Sequence, residues 1–397
     1  MDVFKKSLEL HEKAQGKIEI NSKVRVETKE DLSLAYSPGV AEPCRAIEKN
    51  EEDIYKYTSK GNMVAVITDG SAVLGLGNIG PKAALPVMEG KSILLKQFAN
   101  VDSFPLCLDT QDPELIIQTC KLLAPSLGGI NLEDISAPRC VEIERRLIAE
   151  MDIPVFHDDQ HGTAIVVSAG LINACKLTNR DLSALKVVVS GTGAAGSSII
   201  KMLHRLGIKN IIGYNIDGIV HKSKAEKYDF LTKELLEITN PDDFIGNDTL
   251  ASALVGADVF IGVSVANIVT KEMVESMNKD PFIFAMANPN PEIMPELAKE
   301  GGALIIGTGR SDFPNQINNV LAFPGIFRGA LDARAKKINE EMKMAAAIAI
   351  ASCVDETELA PDFIIPSPFN PQVVQKVAEA VKQTAIKTGV GSPAFTK

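Results

Sequence analysis

The segment KVVVSGTGAAGSSIIKMLHRLGIKNIIGYNI, residues 186–216, constrains this chain more than any other. KVVVS is a compact β-branched run of the kind that forms a buried strand. Residues 197–206 read as a helix, stopped by Gly207 at its C′ position. NIIGYNI reads as the next strand. Between the first strand and the helix lie Gly191, Thr192, Gly193, Ala194, Ala195 and Gly196, in the pattern G-x-G-x-x-G. Such glycines allow a tight turn, close approach to a pyrophosphate and close helix–strand packing, and the helix N-terminus offers free N–H groups to phosphate. Later runs, DVFIGV, FIFAMA and ALIIGT, continue the alternation. Strands alternating with helices predict a parallel, doubly wound sheet. The fold class is therefore α/β in two domains. A C-terminal doubly wound Rossmann-type NAD(P)-binding domain is expected to join a smaller N-terminal α/β domain.

The same glycine pattern recurs at Gly75, Gly77 and Gly80, after only Ala72-Val73-Leu74 and before PKAALPVMEGK, which Pro86 interrupts. That context predicts a structural or substrate-side loop, not a second nucleotide turn. The ribose-reading position, about 20 residues past the first glycine, falls on Asn215, with Asp217 two residues later. Asn215 lacks the carboxylate that repels a 2′-phosphate, and His221, Lys222 and Lys224 are nearby cations. The cofactor is NAD or NADP, with the preference open.

In the N-terminal part, VAVIT and FPLCLD read as strands, and residues 113–125 and 138–151 as helices. A short strand, PVF, then leads into HDDQHGTA. His157 and His161, four apart, raise the question of a zinc pair. The nearly all-apolar run after Gly162 predicts a buried helix beginning near His161 or Gly162. That places His157 in the strand-to-helix turn, not on one helix face with His161. Asp158 and Asp159 then sit at the carboxyl end of a strand, where α/β proteins place ligands. Both histidines are expected in supporting or packing roles.

A length of 397 residues suits two domains. We expect them at residues 1–155 and 156–397, with the helix from about 370 packing back on the N-terminal one. The tail GVGSPAFTK is expected to fray. The net charge of −10 disfavours nucleic acid and anionic membranes. The six cysteines, without any C-x-x-C pair, fit reduced thiols. MDVFKKSLELHEK has no apolar h-region and no run is long enough to span a bilayer, so the expected location is cytoplasmic.

Seven segments together carry a resemblance. YSPGVAEPCRAI, TDGSAVLGLGNIGP, PVMEGKSILLK, GGINLEDISAPRC, IPVFHDDQHGTAIV, FAMANPNPEI and GTGRSDFPNQINNVLAFPGIFRGAL are similar to those of the malic enzymes in their short bacterial and archaeal form. The resemblance runs from about Leu34 to Pro368. It implies oxidative decarboxylation of L-malate to pyruvate and CO₂, with NAD or NADP and with Mn²⁺ or Mg²⁺. It implies Glu133, Asp134 and Asp159 as metal ligands, oxygen donors suited to a hard cation. Lys91 matches the base for the C2 hydroxyl proton, and a lysine with a lowered pKa is expected there. Asp158 matches its hydrogen-bonding acid, and Tyr36 the acid that protonates C3. Asn288 and Asn319 match amides that hold substrate carboxylates, with Asn288 beside the cofactor as well. Long relatives carry an arginine where this chain has Ala72, so that salt bridge to substrate is missing. The family suggests a homodimer, with Tyr36 and Lys91 lent across the interface.

From the residues alone, other readings stand beside this one. Glu133 and Asp134 also suit a cap on the following helix, Lys91 a surface charge, Tyr36 a packing role, and the asparagines turn formation. The alternative functions are a dehydrogenase of another 2-hydroxy or 2-amino acid that does not decarboxylate, a nucleotide sensor, and a zinc hydrolase.

Overall fold

A computed structural model describes residues 3–73 and 75–392. Among the described residues, ten strands form two sheets. They are β1 (Met63–Thr68), β2 (Asp102–Cys107), β3 (Gly129–Leu132), β4 (Val155–His157), β5 (Lys186–Ser190), β6 (Asn210–Asn215), β7 (Gly218–Ile219), β8 (Val259–Gly262), β9 (Phe282–Ala285) and β10 (Ile305–Thr308). The first sheet runs β2-β1-β3-β4 and is parallel throughout. The second runs β10-β9-β8-β5-β6-β7 and is parallel except for β7, which folds back on β6. β5 lies between β6 and β8, so the chain reverses its winding there, and the crevice at the carboxyl ends of β5 and β8 is a ligand position.

Element boundaries shift from the sequence reading in three informative places. The helix after β5 is Ala194–Arg205, so it starts inside the glycine motif. The helix after β4 is Asp158–Thr178, so it starts at the aspartates and not near Gly162. The earlier glycine pattern also opens a full helix, Gly80–Ala99, which continues straight through Pro86. Pro86 removes one helical N–H, but the buried face formed by Ala84, Met88, Ser92, Leu95 and Ala99 holds the helix together.

The two sheets share a core. Val64 and Val66 of β1, Phe156 of β4 and Val187 and Val189 of β5 all belong to one buried cluster, with Val373, Val377 and Val381 of the C-terminal helix Pro371–Lys387. The helix Phe323–Asp332 brings the chain back from the second sheet to the first. Its Phe327 meets Phe156 edge-on at 6.0 Å, and both are fully buried. At the tail, Gly389 donates to Ile386, and Lys336 and Ser392 donate to the carbonyls of Val390 and Ala333, so residues 389–392 are pinned; residues 393–397 of the tail expected to fray lie outside the described residues.

The N-terminal segment differs in kind. Helices Val3–Ala14, Lys29–Ala35 and Ala41–Lys49 bury no residue, and Lys60 is the first buried position. Phe4, Leu8, Ile20, Leu34 and Tyr36 are each more than two-thirds exposed. Among the described residues, no helix is long and apolar enough to cross a membrane.

The shared core carries a prediction. Phe327→Ala removes a ring from the junction of both sheets and is expected to cost about 3–5 kcal/mol. Urea denaturation, followed on both sheets by hydrogen exchange, is expected to show both sheets losing stability together.

Candidate active site in the cleft between the sheets

Four carboxylates gather at the carboxyl ends of β3 and β4. Glu133 and Asp134 follow β3, and Asp158 and Asp159 open the helix after β4. The acids of the β3 loop do not cap a helix, because the next one begins at Arg139. Asp134 instead takes a left-handed backbone conformation at φ 54°, which aspartate tolerates. In that position its N–H donates to Asp159 Oδ2 at 2.7 Å. Glu133, Asp134 and Asp159 each present a ligand atom, all within 4.8 Å of one another.

Lys91 reaches this cluster from the middle of the helix Gly80–Ala99. Its ammonium lies 2.5 Å from Asp158 Oδ2 and 3.0 Å from Glu133 Oε1, and donates to Asn319 Oδ1 at 3.3 Å. Asn131 Nδ2 donates to the other oxygen of Glu133 at 2.8 Å. Lys91 is therefore no surface charge, and within this chain it pairs with Asp158 and Glu133. Its pKa departs from the sequence expectation as well. Burial lowers it, but Asp158, Glu133 and Asp159 outweigh burial and hold it above the usual lysine range. Burial also pushes the Asp158 carboxyl up to about 7, against the pull of Lys91, and raises Glu133 and Asp159. Asp158, Glu133 and Asp159 all stabilise the one ammonium. The excess of buried oxygen donors fits a hard divalent cation of the Mg²⁺ or Mn²⁺ type.

The histidines lie outside this donor set. His157 is fully buried, and burial pushes its imidazole down to about 4, so the ring is neutral. Its Nδ1 is 3.8 Å from Asp159 Oδ2, beyond hydrogen-bond distance. His161 Nε2 turns to buried Glu144, which also accepts the His157 N–H and a bond from Gln160. This bracing of the helix start is a role that the sequence left unassigned, since Glu144 belongs to no motif.

A cleft of about 680 Å³ opens beside the carboxylates. Ala72, Gly75 and Gly77 line it on one side, so the earlier glycine loop does face it. Ala194, Ala195, Asn288, Asn318 and Asn319 line it too, and a Cβ on Gly75 would stand 3.6 Å from the Asn288 carbonyl oxygen. The nucleotide loop has the shape its glycines predict. Gly191 has φ 99°, and a Cβ at Gly196 would run into the Gly191 carbonyl. A Cβ at Gly193 would meet nothing within 4 Å, which leaves backbone open to a ligand. Asn215, at the end of β6, donates to Thr192 at 3.0 Å, while Asp217 is exposed. Of the three cations near it, Lys224 is bonded to Asp248 and His221 to Asp243.

Gly162 marks the closest approach. It is the fifth residue of the helix Asp158–Thr178, one turn on from Asp158, and a Cβ there would press on Asp158 and come within 2.8 Å of Asn319 Cβ. Tyr36 is not brought to the site within this chain. It ends the helix Lys29–Ala35, is 69% exposed, and is not among the residues lining the cleft.

Comparison with known proteins agrees with this architecture. A family model for the malic enzyme N-terminal domain matches residues 15–148, and one for the malic enzyme NAD binding domain matches residues 160–386. A bifunctional malic/malolactic enzyme of Bacillus subtilis is 59% identical, over 98% of this chain and 95% of its own length. An NAD-dependent malic enzyme of Geobacillus stearothermophilus is 58% identical, over 94% of this chain and 78% of its own. The crystal structure of an NAD-dependent malic enzyme from Thermotoga maritima superimposes with a TM-score of 0.91 at 52% identity, covering 95% of this chain and 98% of that one. A dinucleotide loop facing an acidic cluster, two matched domains and these identities lead to one conclusion: the chain belongs to the malic enzyme family.

Proposed function

We propose that this protein oxidatively decarboxylates L-malate to pyruvate and CO₂, reducing NAD or NADP, with a divalent metal. The observation that carries the reading is the pairing of Lys91 with Asp158 and Glu133, next to the Asp134 and Asp159 carboxylates that line the cleft. Glu133, Asp134 and Asp159 hold the metal. A divalent cation bound by these three carboxylates would supply the Lewis acidity that an enolate needs. Lys91 then accepts the C2 hydroxyl proton, and Asp158 holds its ammonium in place. Asn288 and Asn319 orient substrate carboxylates. Gly191 to Gly196 hold the pyrophosphate, with Asn215 and Asp217 beside the adenosine ribose. Tyr36 donates the proton to C3.

Tyr36 reaches a site only if the N-terminal segment packs on another copy. A run of 57 described residues, 3–59, with nothing buried and many apolar groups exposed suits that arrangement. We infer a homodimer in which Tyr36 crosses to the partner while Lys91 stays in its own chain.

Three measurements test this. The wild type is expected to form reduced nucleotide and pyruvate in equal amounts from L-malate and Mn²⁺, and to stop on adding chelator; turnover that persists without metal contradicts the carboxylate site. Lys91→Ala is expected to lower kcat by about 10³-fold or more while nucleotide binding persists. Activity equal to wild type would remove Lys91 from the chemistry. Mixing Tyr36→Phe with Lys91→Ala subunits is expected to restore roughly a quarter of wild-type activity, since each mixed dimer regains one intact site. No recovery, in a mixture shown to have exchanged subunits, places Tyr36 in its own chain's site.

A further inference from the structure

The charge of the cleft does not balance for a dicarboxylate. With every carboxylate ionised, Glu133, Asp134, Asp158 and Asp159 face one ammonium, Lys91. A divalent cation and an oxidised nicotinamide offset the three charges left over, and a substrate dianion brings two more. Among the described residues that line the cleft, none is a lysine or an arginine, and Ala72 offers only a methyl group.

Two arginines stand near the cleft. Arg139 is fixed by Asp69 at 2.5 Å and by Ser71 at 2.6 Å, and Asp69 is fully buried, so this guanidinium is committed. Arg310 is differently held. It follows Gly309, which lines the cleft where a Cβ would come within 3.0 Å of Asn288 Nδ2. Its Nη1 donates to the Pro289 carbonyl at 3.1 Å, one residue beyond Asn288. Its Nε and Nη2 form a fork on Asp312, at 2.8 and 2.6 Å. Asp312 lies two residues away on the same loop and its side chain is 57% exposed. Both side chains reach solvent, which screens the pair and gives a competing carboxylate access to the guanidinium. The fork is also the geometry that a substrate carboxylate would take.

We propose that Arg310 binds a carboxylate of the substrate, exchanging Asp312 for it, and so supplies the cation missing at Ala72. This rests on the dicarboxylate reading of the site given above. It makes Arg310 a determinant of preference for dicarboxylates over monocarboxylic 2-hydroxy acids.

The test compares Arg310→Gln, Arg310→Lys and Asp312→Asn in steady-state kinetics. Arg310→Gln is expected to raise the KM for L-malate at least about ten-fold, with kcat and the nucleotide KM within about two-fold of wild type. Arg310→Lys, which keeps the charge but not the fork, is expected to fall between. Asp312→Asn is expected to leave the malate KM at or below the wild-type value, because it frees the guanidinium. An unchanged malate KM in Arg310→Gln overturns the proposal. So does an Asp312→Asn variant impaired as much as Arg310→Gln, which would make the pair a loop brace. A nucleotide KM that rises in place of the malate KM overturns it as well. Failure of the underlying reading shows separately, as a wild type that turns over no malate.

Discussion

A single ammonium set among buried carboxylates governs this structure. Lys91 cannot reach Asp158 and Glu133 from solvent; it needs a long helix aimed at the carboxyl edge of the first sheet. Asp158 and Glu133, in turn, are tolerable in the interior only with that partner and with hydrogen-bond donors such as Asn131. The burial of these groups explains why their neighbours are so fully committed. Asp134 adopts its left-handed turn, Glu144 holds the His157 N–H and the Gln160 and His161 side chains at the helix start, and His157 stays neutral beside them.

The second sheet is tied to this cluster through packing, not through a linker. The helix Asp158–Thr178 begins with site carboxylates and continues as a buried rod among residues of both sheets. The helices Phe323–Asp332 and Pro371–Lys387 cover the same core from the far side. A cleft between two sheets joined in this way has well-fixed walls, which suits chemistry that requires a nicotinamide and a proton acceptor on one small molecule.

Much of this was legible in the sequence because it is written in local patterns. The strand–glycine–helix–strand unit at residues 186–216 specified the nucleotide sheet, and β-branched runs located the other strands. Asp158 and Asp159 could be placed at a strand end without any coordinates. What remained hidden depends on distant contacts. Pro86 argued locally against a helix, and packing of Met88 and Leu95 prevailed. The raised pKa of Lys91 comes from carboxylates 42 to 68 positions away in sequence, where burial alone suggested the opposite shift. Glu144 carried no motif, and only the fold brings it to His161. Tyr36 was recognisable by resemblance, but nothing in its surroundings here gives it a burial site.

Gly162 has a consequence for dynamics. Its lack of a side chain lets Asn319 and Asp158 come together, but glycine weakens a helix interior by about 1 kcal/mol relative to alanine. The weakened turn is the one that carries Asp158 and Asp159. The bonds from Glu144 and Lys91 to this turn therefore offset a local backbone weakness as well as placing the carboxylates.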